Sequence, residues 1–528
     1  MITETGGLRR QGGQYVAVNA LIVALGGFLM GFDASVISGV VGFIEVELSL
    51  TKLQLGWSVS SLALTATLGM MLSGPVSDRV GRRAVLKATA VLFAVSAIAS
   101  ALAPGFVSLV LARMLGGFAV GAALVIAPMY IAEMAPPASR GRMVSINQLN
   151  IVIGISAAFF SNYLLLRFSQ SGAAWSEALG LAQSPWRWML GIATLPAVLY
   201  YFALGFVPES PRWLAMQGRD DEAREILGRV GGAAQAGRDL DDIKASIAAQ
   251  AKLGRVEPRA LLHPSLRQVL TIGLAVGILQ QATGINSVFY YAPMIFEQSG
   301  IGTDAAFMQA VLVGLVNVVF TVVAMALIDR IGRRPLLGVG LSGIAVCMLL
   351  LALAFGSATY TVGERSVEVF PAGQDRQQLA ALVGTTYHSD TEFRDAVQGA
   401  VGRDAYLQVE SQLVSSAITT NPLLVLAAIL FFVASFAVSI GPVMWVLFAE
   451  LFPNRVRGLA ISFVGLVNSA VAFLVTLAFP WQLETLGMSR TFLIYGVFAA
   501  LGLLVVMRIL PETRGRSLEE IEAKLARG

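Results

Sequence analysis

About twelve apolar blocks of roughly 20 residues run through the chain, and this is the length that a helix needs to cross about 30 Å of hydrocarbon. They begin near residues 15, 53, 84, 106, 143, 187, 268, 306, 336, 422, 459 and 490. Of the 528 residues, 56% are hydrophobic and only 13% are charged, whereas a soluble domain has roughly 25% charged residues. The sequence therefore predicts an all-α membrane protein with twelve transmembrane helices, and it excludes an ordinary soluble enzyme.

Basic residues cluster in the connections after spans two, four, eight and ten. They are Arg79, Arg82, Arg83 and Lys87, Arg140 and Arg142, Arg330, Arg333 and Arg334, and Arg455 and Arg457. Because cytoplasmic loops carry an excess of Lys and Arg, we expect a multi-pass protein of the cell (inner) membrane with both termini in the cytoplasm. The net charge of +4 is spread over these connections, so it indicates topology and predicts no nucleic-acid partner.

Residues that could hold a metal or act as nucleophiles are scarce. The single cysteine, Cys347, lies in an apolar block, and the two histidines, His263 and His388, lie far apart in polar stretches. They offer no disulfide framework and no Cys/His metal site. A nucleophile, a base and an orienting group do not recur at a recognisable spacing, and the sequence has no phosphate-binding loop. We therefore expect no cofactor, no metal and no enzymatic activity.

The two halves of the chain repeat two motifs in the same order, as transporters often do. The motifs are SDRVGRR (77–83) with IDRIGRR (328–334), and AEMAPPASRG (132–141) with AELFPNRVRG (449–458). The second half also carries an insertion. Asp329 and Glu450 are 121 positions apart, whereas the matching Asp78 and Glu133 are 55 apart, a difference of 66. Residues 357–421, which follow span nine on the non-cytoplasmic side, supply it; we expect a solvated extracytoplasmic cap, and a partner-binding or ligand-gating role stays open.

Charged residues with apolar positions every three or four residues fill the stretch between spans six and seven. This pattern predicts short cytoplasmic amphipathic helices, with a flexible linker as the alternative. The predicted organisation is an N-terminal six-helix bundle at 1–208, linker helices at 209–265, a C-terminal six-helix bundle at 266–511 that contains the insertion 357–421, and a cytoplasmic tail at 512–528.

Several longer segments are typical of one transporter family. They are GPVSDRVGRR (74–83), RMLGGFAVG (113–121), PMYIAEMAPPASRGR (128–142), PESPRWL (208–214), QQATGIN (280–286), LIDRIGRR (327–334), GPVMWVLFAELFP (441–453) and PETRGRSLEEIE (511–522). With these segments the chain resembles the sugar porter family of the major facilitator superfamily, and bacterial proton-coupled sugar symporters in particular, over nearly its whole length apart from the insertion. The resemblance implies two pseudo-symmetric six-helix bundles around a central cavity that opens alternately to either side of the membrane.

Span seven carries amides inside an otherwise apolar helix. They are Gln280, Gln281 and Asn286. Carboxamides both donate and accept hydrogen bonds, which suits neutral hydroxyl groups better than an ion. On a straight helix Gln281 and Asn286 point about 140° apart, so we expect a distortion near Gly284 to bring them together on one ligand. Tyr290 and Tyr291 lie nearer the outer end and could close over it.

The resemblance implies four further residues that face the same cavity. They are Gln148 on span five, Asn317 on span eight, Trp445 on span ten and Asn468 on span eleven. The preceding Gly441–Pro442 pair can break span ten, so that the Trp445 indole meets the apolar side of a sugar ring. The alternative is that the buried amides only hold helices together. Many relatives have an aromatic residue in place of Met30 and a Trp in place of Ser469, so the choice of sugar, and a polyol such as inositol, stay open.

Asp33 is an acid deep inside the apolar span one, which by default indicates a functional group. At about 1.5 Å per residue, its depth differs from that of Arg113 on span four by only about 5 Å, so the two can pair. A guanidinium neighbour favours the charged carboxylate and burial favours the protonated acid, so withdrawal of Arg113 leaves an acid that takes up a proton. In the family an acid at this position accompanies proton symport. A static ion pair between spans one and four is the alternative.

Charged residues at the cytoplasmic ends of the spans form matching sets in the two halves. The sets are Asp78, Arg79, Arg82, Arg83, Glu133, Arg140 and Glu209, and Asp329, Arg330, Arg333, Arg334, Glu450, Arg457 and Glu512. The resemblance implies a cytoplasmic gate, in which salt bridges join the bundles when the inner side is closed. Exposed pairs contribute only about 0 to 1 kcal/mol each, so such a gate can open in every cycle. The alternative is that the arginines only set topology.

We therefore expect a monomer in the lipid bilayer that imports a small neutral sugar or polyol together with a proton by alternating access. A facilitative uniporter is the runner-up. A non-transporting sugar sensor is a third hypothesis, although only 17 residues follow Pro511, where a signalling tail would stand.

Overall fold

The computed structural model describes residues 2–136, 139–253, 258–371, 373–453 and 456–512. The helices of the first half are α1 (Ile2–Val36), α2 (Val41–Glu47), α3 (Lys52–Val80), α4 (Arg82–Ala101), α5 (Phe106–Met134), α6 (Arg140–Ser169), α7 (Ala174–Ala178), α8 (Pro185–Gly191) and α9 (Thr194–Ala203), with a 3₁₀ turn at Ile37–Gly39. Local chemistry explains where they begin. Thr51 and Gln54 cap α3 reciprocally, each accepting the other's backbone N–H.

Three helices connect the two halves: α10 (Pro211–Met216), α11 (Asp220–Gly231) and α12 (Ala233–Leu253). Two 3₁₀ turns, at Pro258–Leu262 and Pro264–Leu266, then lead into the second half. The helices of its bundle are α13 (Arg267–Ala282), α14 (Ile285–Tyr290), α15 (Ala292–Glu297), α16 (Thr303–Ile331), α17 (Arg333–Gly356), α22 (Pro422–Val438), α23 (Ile440–Leu451) and α24 (Arg457–Ile509). The intervening helices α18 (Glu364–Glu368), α19 (Gln374–Ala380), α20 (Asp390–Val401) and α21 (Arg403–Ala417) belong to the insertion.

Ten helices in the described ranges are long and apolar enough to cross a membrane. The expected span six is broken at Ile192 and Ala193, between α8 and α9, so neither piece qualifies by itself. The expected spans eleven and twelve follow each other directly in α24 and are separated by a kink at Gly487 (φ +79°). The broken span six and the kinked α24 account for the difference between ten helices and twelve expected crossings. The prediction of an all-α membrane protein is confirmed.

The spans have two ends, which we name by what lies there. On the linker side, Trp213 of α10 donates a hydrogen bond to the Asp78 carbonyl near the end of α3 (3.0 Å). On the insertion side, Lys52 at the start of α3 lines a small chamber together with residues of 357–421. The linker and the insertion therefore lie at opposite ends of the same helix.

The two bundles are packed together on the insertion side. One hydrophobic core there contains residues of both halves. The rings of Phe159 and Phe289 stack across the boundary with centroids 6.3 Å apart, and Arg167 pairs with Asp304 at 3.4 Å. The linker-side part of the first half instead has a core of its own, around Tyr130. The contact between the bundles is thus concentrated at one end.

Residues 357–421 fold into a small subdomain, which we call the cap. Its elements are β1 (Thr359–Thr361), α18 (Glu364–Glu368), α19 (Gln374–Ala380), β2 (Thr386–Tyr387), α20 (Asp390–Val401), α21 (Arg403–Ala417) and β3 (Ile418–Thr419). The strands form an antiparallel sheet in the order β2-β1-β3. Tyr360, Phe393 and Leu413 are buried in its centre. Because this apolar surface is removed from water, the cap is a folded unit and not merely a charged loop.

Glu297 links α15 to the cap. Burial raises the pKa of its carboxyl to about 7, although hydrogen bonds from the Thr303 and Ser411 hydroxyls oppose the rise and the charge of Glu410 adds to it. Ser411 and Glu410 belong to α21 of the cap. The protonation of Glu297 is therefore linked to the docking of the cap.

We expect the cap to dock less firmly as the pH rises. A carboxyl whose pKa is raised in the docked state contributes its full stabilisation below the ordinary Glu pKa of about 4.3 and loses it as the pH rises to about 7. Hydrogen exchange of the α21 amides, corrected for intrinsic rates, should be faster at about pH 8 than at about pH 5. Glu297→Gln should abolish this difference, whereas Glu368→Gln, at an exposed acid of the cap, should keep it. Identical profiles for the two variants would contradict the assignment.

Candidate functional site

All eight residues predicted to contact substrate line one central cavity of about 280 Å³. They are Gln148, Gln280, Gln281, Asn286, Tyr290, Asn317, Trp445 and Asn468. The described residues that line this cavity are all uncharged, and they include the aromatic rings of Phe289 and Phe436. Amides, hydroxyls and rings around a cavity of this size suit a small neutral ligand.

Four of the amides form one hydrogen-bonded network. Asn286 Nδ2 donates to Gln281 Oε1 at 2.9 Å. Gln281 Nε2 donates to Gln280 Oε1 and to Asn468 Oδ1, both at 3.2 Å. Asn468 Nδ2 donates to Gln280 Oε1 (2.9 Å) and to the Gly277 carbonyl (2.7 Å). The amides therefore hold one another in fixed orientations at the cavity wall.

The expected distortion near Gly284 is present. The helix breaks between α13 and α14, where Gly284 has φ +81°, a conformation that favours glycine. This turn brings Asn286 into contact with Gln281, five positions earlier, which a straight helix would not do. A Cβ atom at Gly284 would lie 3.0 Å from the Tyr495 ring.

Two details differ from the sequence analysis. Span ten breaks at Ser439 (φ −117°, ψ −103°), between α22 and α23, and not at Gly441–Pro442. Pro442 lies in the first turn of α23, where backbone N–H groups have no partner within the helix, so it is accommodated without a break. Tyr291 is buried in the second bundle, where its hydroxyl donates to the Thr476 carbonyl (3.3 Å) and its ring packs on Phe479.

The central cavity continues toward the linker side. A second cavity of about 530 Å³ shares Gln148 and Trp445 with the first and extends past Pro75 of α3 and Ser462 of α24. On the insertion side, the bundles meet at the stacked rings of Phe159 and Phe289. The site is therefore open toward the linker side and closed toward the insertion side.

Sequence reasoning missed two hydroxyl-bearing residues of the cavity, Ser35 and Thr321. Thr321 lies four positions after Asn317, and residues with this spacing share one face of a helix. The spacing from Asn317 could therefore have identified it. Ser35 offered no comparable signal, because a serine near a helix end is common.

The structure brings Asp33 and Arg113 together inside the first bundle. Arg113 Nη1 donates to Asp33 Oδ1 at 3.2 Å and to the Asp33 carbonyl at 3.0 Å. Asp33 is 3% exposed and Arg113 is 1% exposed. The pairing is incomplete, because Asp33 Oδ2 and the Nε and Nη2 atoms of Arg113 have no hydrogen-bond partner among the described residues. Buried charges with unmet hydrogen bonds are costly, so protonation of Asp33 lowers the cost of separating the pair.

Gly116 of α5 makes room for the acid. A Cβ atom there would lie 2.9 Å from Asp33 Oδ2 and 2.6 Å from Ser96 Oγ. The Ser96 hydroxyl donates to a backbone carbonyl of α5 (2.8 Å). The free oxygen of Asp33 therefore lies in a narrow space between α1, α4 and α5.

The ion pair and the central cavity are adjacent. Gly31 and Ala34, on either side of Asp33 in α1, line the cavity. Tyr290 of the second bundle also lines it and lies within electrostatic reach of Asp33 and Arg113. A ligand in the cavity thus contacts the helix that carries the acid.

The first charged set ties together the linker-side ends of three helices. Arg82 of α4 makes two hydrogen bonds to Glu133 of α5, both at 3.1 Å, and a salt bridge of 2.9 Å to Asp78 of α3. Glu209 accepts hydrogen bonds from the backbone N–H groups of Arg82 (3.0 Å) and Arg83 (3.2 Å). These bonds brace one end of the first bundle.

The second set repeats the arrangement. Arg333 pairs with Glu450 at 2.7 Å, and Glu512 accepts hydrogen bonds from the backbone N–H groups of Arg333 and Arg334, both at 3.1 Å. As in the first half, these bonds join residues of the same bundle. A bridge between the bundles, formed when the linker side closes, stays a prediction.

The remaining members of the two sets take less part in these bonds. Arg79, Arg140 and Arg330 are exposed. Arg457 donates to the Phe452 carbonyl at 3.1 Å. The side chain of Asp329 lies outside the described part of the chain, as do residues 513–528 of the predicted tail.

Comparison with known families agrees with this architecture. A family model described as "Sugar (and other) transporter" matches residues 19–370 and 405–525. The chain belongs to this family. Membership confirms the sugar porter resemblance and makes the protein a transporter and not an enzyme. The stretch 371–404, which the family model leaves unmatched, lies within the cap.

Relatives match over nearly the whole chain. The protein is 34% identical to the arabinose-proton symporter of Bacillus subtilis, over 96% of this chain and 94% of that one. It is 33% identical to the D-xylose-proton symporter of Escherichia coli, over 96% of this chain and 95% of that one. The partially occluded inward-open structure of the E. coli xylose transporter XylE matches with a TM-score of 0.72 and 30% identity, covering 96% of this chain and 100% of that one. The predicted major facilitator fold is thereby confirmed.

We expect Gly284→Ala to destabilise the transporter. An L-residue in the left-handed region costs about 1 to 2 kcal/mol, and the added Cβ would press on the Tyr495 ring. Thermal unfolding of the purified protein in detergent should therefore begin at a lower temperature. Gly458→Ala is the matched control, because Gly458 lies in α24 with open space at the Cβ position among the described residues. If both variants unfolded at the wild-type temperature, the assignment of a glycine-dependent turn at Gly284 would be wrong.

Proposed function

We propose that the protein is a proton-coupled symporter that imports a neutral monosaccharide or polyol through the cell (inner) membrane by alternating access. The observation that carries the proposal is that two sites adjoin. One is the uncharged central cavity lined with amides, and the other is the buried Asp33 of α1, one of whose oxygens has no hydrogen-bond partner among the described residues. The first site suits a sugar and the second suits a proton.

The ligand class follows from the cavity. Polar solutes lose several kcal/mol on leaving water unless polar groups replace it, and the network of Gln280, Gln281, Asn286 and Asn468 offers such groups. Trp445 adds a flat apolar surface for a sugar ring. The relatives named for arabinose and xylose support a monosaccharide. Met30 and Ser469, which depart from the common family pattern, line this cavity, so a polyol belongs in any substrate test.

The orientation follows from charge. The linker side carries Arg79, Arg82, Arg83 and Arg140 of the first half and their counterparts of the second, and basic loops lie in the cytoplasm. We therefore assign the linker side and both termini to the cytoplasm and the cap to the outside. With this orientation, the conformation described above faces inward.

Coupling follows from the state of the Asp33–Arg113 pair. Protonation of Asp33 neutralises a buried charge and frees Arg113, so the pair switches between two arrangements as the bundles move. An inward proton gradient supplies about 1.4 kcal/mol per pH unit, and the membrane potential adds about 2.3 kcal/mol per 100 mV for one charge. Together they are sufficient to concentrate a sugar more than about tenfold.

The charged sets on the linker side act as the cytoplasmic gate. The pairs Arg82–Glu133 and Arg333–Glu450 keep the helix ends of each bundle together as it moves. Exposed arginines such as Arg79 and Arg140 are free to approach acids of the other bundle when the cavity closes to the cytoplasm. Each exposed pair is weak, so the closed state remains reversible.

We expect Asp33→Asn to keep sugar exchange and to lose proton-driven accumulation. The amide preserves the size of the side chain but cannot change its charge. Uptake of labelled arabinose, xylose, glucose and inositol into proteoliposomes, with and without a pH gradient, measures both properties. With a gradient, the wild type should accumulate substrate more than about tenfold, and the variant should only equilibrate it.

Asp221→Asn serves as the control, because it removes a fully exposed acid of the linker, and it should accumulate substrate like the wild type. Uphill uptake by Asp33→Asn equal to that of the control would reject Asp33 as the coupling site. Wild-type uptake that is insensitive to the gradient would instead identify a uniporter.

A further inference from the structure

Directional hydrogen bonds attach the cap to the second bundle. Arg394 of the cap donates to two backbone carbonyls of α24 just before Gly487, at 2.9 and 3.4 Å. The N–H of Met488 donates to the Asp390 carboxylate at 2.9 Å. Both contacts lie at the interruption of α24, a fixed part of the second bundle. The cap is therefore expected to move with that bundle.

Lys52 reaches into the cap from the first bundle. It is the first residue of α3 and lines a small chamber with Asp390, Arg394 and Glu410 of the cap. The lysine is only 6% exposed, and its ammonium pairs with Glu45 of its own bundle at 2.5 Å. The negative charge of Glu410 attracts Lys52 and repels Glu45, and the positive charge of Arg394 opposes that of Lys52 more weakly than Glu410 supports it.

The position of this lysine is unfavourable for its own helix. The first turn of a helix favours acidic residues and disfavours cations, and a buried ammonium needs close negative partners. Glu45 supplies one partner from the same bundle. Glu410, which also accepts a hydrogen bond from Gln298 of the second bundle (3.3 Å), brings a second negative charge from the cap. Because the attraction to Glu410 exceeds the repulsion from Arg394, Lys52 is stabilised best when the cap is close to the first bundle.

The rest of the contact between the cap and the first bundle is loose. Clefts of about 420 and 260 Å³ separate α21 from the first bundle. Across such clefts the facing side chains make few van der Waals contacts, so they contribute little attraction between the cap and the first bundle. The cap can therefore leave the first bundle without breaking a continuous core, provided that the charges around Lys52 separate.

We propose that the cap is a clasp that holds the outer side of the transporter closed by enclosing Lys52 of the first bundle between Glu45 and Glu410. The clasp rests on the alternating access of the proposed function. It raises the population of the inward-facing state, and a carrier that is only partly outward-facing binds external substrate with reduced apparent affinity. The insertion then tunes how readily the transporter accepts substrate from outside.

Two sets of substitutions weaken the clasp in different ways. Glu410→Gln removes the charge that the cap presents and keeps the shape of the side chain. The double variant Lys52→Met with Glu45→Gln removes the ion pair without leaving a lone buried charge. Glu368→Gln, at an exposed acid elsewhere on the cap, is the matched control.

The readout is the reactivity of one cysteine on the outer side. Ser38 is 3% exposed, and its hydroxyl has no hydrogen-bond partner among the described residues, so Ser38→Cys is a mild change. In a Cys347→Ala background, a membrane-impermeant maleimide added outside right-side-out vesicles reports how often this side opens. We expect both clasp variants to be modified about fivefold faster than the control or more, with external apparent affinity raised in the same direction.

Modification rates equal to those of the control, in variants that unfold at the wild-type temperature, would overturn the clasp. Should the double variant fail to fold, the rate for Glu410→Gln decides alone. The modification experiment contains no sugar and no gradient, so it is independent of proton coupling. Failure of the symport proposal would appear instead as gradient-insensitive uptake in the wild type and the control.

Discussion

Inside a membrane, each polar group must find its partners within the protein, because the lipid offers none. The central amides meet this requirement among themselves, since Gln280, Gln281, Asn286 and Asn468 are joined in one network. The pair of Asp33 and Arg113 meets it only in part, since one carboxylate oxygen and two guanidinium nitrogens find no partner among the residues that the structure describes. The same constraint thus accounts for the fixed network of amides in the second bundle and for the incompletely paired acid in α1 of the first, which are the two sites of the proposed symport.

The residues of this site could be found in the sequence because they contrast with what surrounds them. An amide or an acid in an apolar span stands out, and counting 1.5 Å per residue places Asp33 and Arg113 at similar depth. Gly284 could be recognised as a point of distortion because Gln281 and Asn286 had to converge. The family resemblance added Gln148, Asn317, Trp445 and Asn468, which composition alone does not distinguish from structural amides and rings.

Other features depend on tertiary contacts that no local pattern encodes. The break in span ten falls at Ser439, although Gly441 and Pro442 are the stronger local signal, because a proline in the first turn of a helix needs no hydrogen bond. Tyr291 and Tyr290 are neighbours in sequence, yet Tyr291 turns into the second bundle toward Phe479. The cap is a similar case, since its charged composition suggested a solvated segment and its core forms from residues such as Tyr360, Phe393 and Leu413 that are dispersed along it.

The two sides of the molecule close by different physical means, and this difference bears on the transport cycle. On the linker side, the charged helix ends are braced within each bundle, so closure of the proposed gate there would add only weak exposed pairs. The insertion side is closed by packing of rings such as Phe159 on Phe289, which water does not readily replace, and the proposed clasp adds charges under the cap. Phe289 also lines the central cavity. A ligand in this cavity can contact Phe289 and so replace part of the contact between Phe289 and Phe159. This replacement lowers the free-energy cost of opening the insertion side, which is otherwise the harder side to open.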